Sequence, residues 1–152
     1  ADHPLEQLLA WRTQFIEDKI RPILLPKAID LLERHRTAGD TLLIITATNR
    51  FITAPIAAAL GVENLIACEA EIIDGIYTGL PSGIPSYQEG KVTRLHSWLE
   101  GRGIGLEDCW FYSDSHNDLP LLELVDHPVA VAPDDILRAR ALECEWPVIS
   151  LR

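Results

Sequence analysis

Apolar residues recur at helical spacing near the start of the chain: Leu5, Leu8, Leu9, Ile16 and Ile20, with Trp11 and Phe15 among them. Positions three and four apart share one face of a helix, so the pattern predicts a helix over about residues 4–20. The Arg21-Pro22 step ends it, because the residue before a proline is pushed out of helical backbone. Pro26, a favoured first-turn residue, opens a second helix carrying Ile29, Leu31 and Leu32, and Gly39 closes it. The run TLLIITA at 41–47 is apolar, β-rich and too short for a helix. It predicts a strand buried on both faces, as in a parallel sheet. Residues 51–60 return as a helix that stops at Gly61.

From 65 to 80 two β-rich pieces flank Asp74-Gly75, a strong hairpin signal. Residues 81–88 read as a loop, whose Ser82, Ser86 and Tyr87 are candidates to reach a substrate. Residues 89–100 form a helix with Val92, Leu95, Trp98 and Leu99 on one side, and 109–113 is a second buried strand. Asn117 to Leu124 is helical, 128–132 is a strand, Asp134 or Asp135 caps a helix to about 142, and 147–151 is a last strand. This order is an α/β layout. No repeat or low-complexity tract interrupts it, and a boundary is expected only near 21–26.

At 152 residues, 47% of them hydrophobic, the chain fits one folded domain of ordinary size. No apolar run reaches the ~18 residues of a membrane span. A net charge of -10 disfavours nucleic acid and anionic membranes as partners, but one local site can still bind a small anion. Cys68, Cys109 and Cys144 form neither a disulfide framework nor a zinc pattern. They are expected to be buried and inert in a reducing cytoplasm, and the first residues lack the pattern of a signal peptide. The four tryptophans are expected to pack inside, and His3, His35, His96 and His127 to be solvated. A chain with no methionine that starts at Ala1 is expected to have lost either its initiator or a longer upstream piece.

Ligands of open α/β sheets sit beyond the carboxyl ends of strands. After the first strand comes Thr46-Ala47-Thr48-Asn49, and after the strand at 109–113 comes Ser113-Asp114-Ser115-His116-Asn117-Asp118. Both stretches are short-chained, polar and lead into a helix. Free amides at a helix start suit a phosphate, and acidic loops suit a hard cation such as Mg²⁺. Between them, Gly90-Lys91 sits at a helix start, where the lysine can oppose a carboxylate or a phosphoryl oxygen. His116 reads as a surface or substrate-side residue.

Thr46 ending a strand, Lys91 on a helix and the block from Asp114 to Leu122, in this order, resemble motifs two, three and four of the haloacid dehalogenase-like hydrolases. The phosphoserine phosphatase-like branch is the most similar, with its Asn-Asp-Leu-Pro after the metal aspartate and a hairpin before the lysine. The resemblance spans roughly residues 22–133. It implies a Rossmann-like, three-layer parallel sheet with a β-hairpin, and Mg²⁺-dependent hydrolysis of a small phosphorylated metabolite such as phosphoserine or histidinol phosphate. Thr46 and the Ala47 amide would hold the phosphoryl group, and Asn117 would help on the phosphate side. Lys91 would stabilise the charge on the nucleophile and the transferring group. Asp114 would ligate the metal, with Asp118 a second metal-side carboxylate that fixes Lys91 or a metal-bound water.

The family's first motif, an Asp-x-Asp whose first aspartate is the nucleophile, has no match in this chain. In the family its strand lies centrally, between the strands ending at Thr46 and Ser113. Residues 1–21 would then be the last helix of an otherwise missing cap, and 22–152 a core lacking its first strand. By this reading the nucleophile lies upstream, the 152 residues alone are inactive, and an N-terminal segment or a second copy completes the sheet. Two rival readings are a non-catalytic metal- or phosphate-binding module that has lost the nucleophile, and a receiver-like or nucleotide-binding domain.

Overall fold

A computed structural model of the chain describes residues 3–152, which divide after Ser86 into two compact units. The first unit opens with helix α1 (Leu5–Phe15), which runs on through a π turn at Ile16–Ile20 and a 3-10 turn at Arg21–Ile23. Helix α2 (Pro26–Ala38) begins on its proline and ends on Gly39 at φ 91°. There the amides of Gly39 and Asp40 reach back to the carbonyls of Arg36 and His35 at 3.1 and 3.0 Å. This pair of bonds needs a left-handed residue, which explains the glycine.

Strand β1 (Leu43–Asn49) leads into helix α3 (Arg50–Ala59), and strand β2 (Asn64–Ile73) pairs with β1 in parallel. Strand β3 (Ile76–Ser82) returns antiparallel to β2. Asp74 and Gly75 both take positive φ, 51° and 78°, as a two-residue hairpin turn matched to the twist of the strands requires. The β1–β2 register holds from Leu43 to Ile45 and resumes only at Asn49 opposite Cys68, so Thr46, Ala47 and Thr48 lie outside it.

Pro55 inside α3 has no N–H to give to the carbonyl of Phe51, four residues back. Arg12 of α1 supplies the missing donor: its Nη1 lies 3.2 Å from that oxygen. The same guanidinium stands 4.6 Å over the Phe51 ring. A helix interrupted by proline thus creates the acceptor by which α1 docks.

The second unit contains helix α4 (Glu89–Glu100), strand β4 (Trp110–Ser113), helix α5 (Leu119–Leu122), strand β5 (His127–Val131), helix α6 (Asp135–Glu143) and strand β6 (Val148–Ile149). Its sheet runs β4-β5-β6, all parallel. Leu122, Ala130, Leu137 and Ala141 are wholly buried at its centre, with Phe111, Leu119, Trp146 and Val148 packed around them.

The α/β class, the helices and the hairpin follow the pattern read from the sequence. Burial of the strands does not. β1 and β4 were expected to be covered on both faces, yet β1 is at most half-buried and Trp110 is 46% exposed. Each stands at the edge of a three-stranded sheet, with a partner strand on one side only. Trp11 is likewise 47% exposed, and none of the three cysteines is fully buried. All three are free thiols. Among the described residues no helix is long and apolar enough to cross a membrane.

Arg12→Ala should destabilise the chain by about 1–2 kcal/mol in urea titration, because it leaves the Phe51 carbonyl unsatisfied. In a Pro55→Ala background the restored helical amide takes that role. The same substitution should then cost less than half as much. Equal costs in the two backgrounds would refute the coupling.

Candidate functional site

Strand β4 delivers Ser113 to a short 3-10 turn, His116–Asp118, that runs into α5. The Ser113 hydroxyl accepts the Ser115 amide at 3.2 Å and donates to Asp118 Oδ2 at 2.7 Å. The other carboxylate oxygen of Asp118 accepts from the Lys91 ammonium at 2.5 Å. Lys91 lies in the first turn of α4. Both side chains are about nine-tenths buried, 9% exposed for Lys91 and 10% for Asp118. Two charges withdrawn this far from water persist only because each meets the other and further hydrogen bonds complete the set.

Asp114, by contrast, is exposed. Its backbone is fixed rather than its carboxylate: the Asp114 carbonyl accepts the Asp134 amide at 2.9 Å. Asp134 caps α6 through the Leu137 amide at 2.8 Å. Its second oxygen accepts both the His116 amide, at 2.8 Å, and the His116 imidazole Nδ1, at 2.9 Å. These amides, that of Leu137 foremost, hold the Asp134 carboxyl at about 2, well below the usual carboxylate range. The loop after β4 is therefore tied to the start of α6.

Asn117 is held inside the protein through both ends of its amide. Its Oδ1 accepts the Tyr87 hydroxyl at 2.9 Å and Gln88 Nε2 at 3.2 Å, while its Nδ2 donates to Ser115 Oγ at 3.2 Å. Gln88 precedes α4 with φ 47° and ψ -124°, a conformation that costs a residue with a Cβ about 1–3 kcal/mol.

Thr46 and Ala47 belong to the first unit, at the carboxyl end of β1 where pairing with β2 lapses. The Thr46 hydroxyl accepts the Thr48 amide at 3.1 Å, and Asn49 caps α3 through the Phe51 amide at 2.7 Å. This is a small polar turn leading into a helix start. In the second unit the structure brings Lys91 onto Asp118 and sets Asn117 beside them, with Asp114 on the same loop.

Among the described residues no three His, Cys, Asp or Glu side chains cluster as a metal site. The donor chemistry still suits Mg²⁺, which takes one or two carboxylates and keeps its remaining places for water and phosphate. Asp114 offers an exposed hard oxygen donor. Asp118 is buried and accepts one hydrogen bond through each oxygen, from Lys91 and from Ser113.

The sequence pointed to Lys91, Asp114, Asn117 and Asp118, but Ser113, Tyr87, Gln88 and the His116–Asp134 link carried no signal of their role. A serine ending a strand is commonplace, a glutamine does not advertise a positive φ, and His116 and Asp134 lie 18 residues apart. Only a cap at Asp134 or Asp135 was legible, from aspartates before a helical pattern, and the structure gives it to Asp134.

The profile of the haloacid dehalogenase-like hydrolases matches residues 1–123. A histidinol-phosphatase of Neisseria meningitidis serogroup C (strain 8013) is 43% identical over the whole chain, which spans 70% of that relative. The phosphoserine phosphatase SerB1 of Mycobacterium tuberculosis is 38% identical over 81% of the chain, which spans 40% of that protein. Among solved structures, a protein of unknown function from Bordetella pertussis Tohama I superposes with a TM-score of 0.95 and 48% identity, covering 99% of this chain and 69% of its own.

Asp118→Asn should lower stability by about 3–5 kcal/mol in urea, since it leaves the Lys91 ammonium buried without a counter-charge. A loss below about 1 kcal/mol would mean that the pair is not buried in solution. Asp134→Ala should cost about 1 kcal/mol at neutral pH through loss of the cap. Folding lowers the Asp134 pKa, so its stabilisation is complete above about pH 4 and fades as pH falls to about 2. The difference between variant and wild type should shrink across that window; a constant difference would exclude the carboxylate as its source.

Proposed function

The chain belongs to the haloacid dehalogenase-like hydrolases, in their phosphoserine phosphatase-like branch, and from that premise we propose that it is part of a Mg²⁺-dependent phosphatase acting on a small phosphomonoester. Phosphoserine and histidinol phosphate are the candidate substrates, because relatives bear those names. The reaction passes through an aspartyl phosphate whose nucleophile lies upstream of Ala1. That upstream segment, or a second copy, completes the sheet. The helical stretch from Leu5 to residue 21 closes a cap, and 22–152 is the catalytic core. The free state of all three cysteines supports a cytoplasmic location.

The buried Lys91–Asp118–Ser113 set carries this reading. Phosphoryl transfer needs little covalent help from the protein beyond a nucleophile; it needs positioned positive charge and hydrogen-bond donors around the equatorial oxygens. Asp118 holds the Lys91 ammonium in one place, so it can oppose the phosphoryl charge without reorganising. The Thr46 hydroxyl and the Ala47 amide donate to phosphate oxygens, and Asn117 orders the phosphate side of the loop. The exposed Asp114 is the residue that would hold Mg²⁺, which when bound supplies further charge neutralisation at the phosphoryl group.

In the full-length enzyme, Asp114→Asn should abolish Mg²⁺-dependent hydrolysis of an aryl phosphate. Lys91→Ala should lower kcat per folded molecule by about 10²–10³. Residues 1–152 alone should be inactive. Turnover by the isolated chain, or unchanged turnover in Asp114→Asn, would overturn the proposal. Comparing kcat/KM for phosphoserine and histidinol phosphate then identifies the preferred substrate.

A further inference from the structure

Gln88 holds a backbone conformation that the proposed chemistry leaves unexplained. Its φ of 47° and ψ of -124° suit glycine, which adopts them without a steric cost. A glutamine side chain held there must make contacts that offset the strain. It makes one to the loop after β4, where Nε2 donates to Asn117 Oδ1 at 3.2 Å. Its backbone makes another within α4, where the Gln88 carbonyl accepts the Lys91 amide at 2.9 Å. One residue therefore grips the backbone of the lysine and the neighbour in sequence of its partner aspartate.

Tyr87 doubles the connection. Its hydroxyl reaches the same Asn117 oxygen at 2.9 Å, and its carbonyl accepts the Gly90 amide at 2.9 Å. Asn117 is braced from behind by Ser115 Oγ at 3.2 Å. The Lys91 side chain has four rotatable bonds, and its ammonium meets Asp118 only while the start of α4 is held against the loop.

We propose that Gln88 is a positioning residue: by its left-handed backbone and its hydrogen bond to Asn117 it fixes the amino end of α4 so that the Lys91 ammonium stays on Asp118. The kinetic consequence rests on the phosphatase reading; the structural one does not. Gln88→Gly removes both the strain and the hydrogen bond. Gln88→Met keeps the length and the strain but removes the donor.

Proton exchange of the Lys91 ammonium, followed by ¹⁵N NMR, reads the position of the ion pair directly. It should accelerate at least about tenfold in both variants, since a loosened pair admits water. Gln88→Gly should match or exceed the wild-type melting temperature, while kcat of the full-length enzyme falls about tenfold with KM within about twofold, the usual sign of a misplaced group. A merely structural residue would move stability and activity together. Unchanged Lys91 exchange in both variants, or unchanged kcat in Gln88→Gly, would overturn the proposal. If the wild-type enzyme hydrolyses no phosphomonoester, the phosphatase reading fails, and the exchange comparison still decides the role of Gln88.

Discussion

A lysine ammonium and an aspartate carboxylate, both removed from water, constrain everything around them in the second unit. Lys91 and Asp118 lie 27 residues apart in the chain, on different helical segments, and meet at 2.5 Å. Neither charge tolerates burial alone. The start of α4, the end of β4 and the turn before α5 must therefore keep a fixed relation, or an uncompensated charge is left inside. Ser113 completes the arrangement by satisfying the second carboxylate oxygen.

The loop from Ser113 to Asp118 acts as a hub because nearly every residue in it binds a different element. Asp118 takes α4 through Lys91, Asn117 takes the residues before α4, and His116 takes the cap of α6 through Asp134. Ser115 ties the loop to itself through the Asn117 amide. Asp114 alone points a charged group outward from this frame. A rigid backbone under an exposed carboxylate is the condition for an oxygen ligand that must not move when a cation or a phosphate arrives.

The two aspartates of the motif therefore differ in kind, although the sequence sets them only four residues apart. One is buried and spent on a lysine; the other is exposed. Membership in the haloacid dehalogenase-like hydrolases accounts for the residue types at these positions. Their environments set a carboxylate that holds a lysine apart from one that faces solvent.

The hydrophobic pattern determined most of the elements: the helix from Pro26 to Gly39, the hairpin at Asp74-Gly75 and the helix from Glu89 to Glu100 stand where spacing, turn residues and glycine placed them. These are local consequences of backbone preference, and local preference is written in neighbouring residues. The residue types of Lys91, Asp114, Asn117 and Asp118 were legible for the same reason, as a motif in order. Tertiary structure alone decided that Asp118 spends one oxygen on Lys91 and the other on Ser113, that Arg12 answers the carbonyl stranded by Pro55, and that Gln88 adopts a glycine-like backbone. Each of these depends on a partner distant in the chain or on a strain that only such a partner can offset, and a linear pattern carries no information about which distant atoms come within three ångströms.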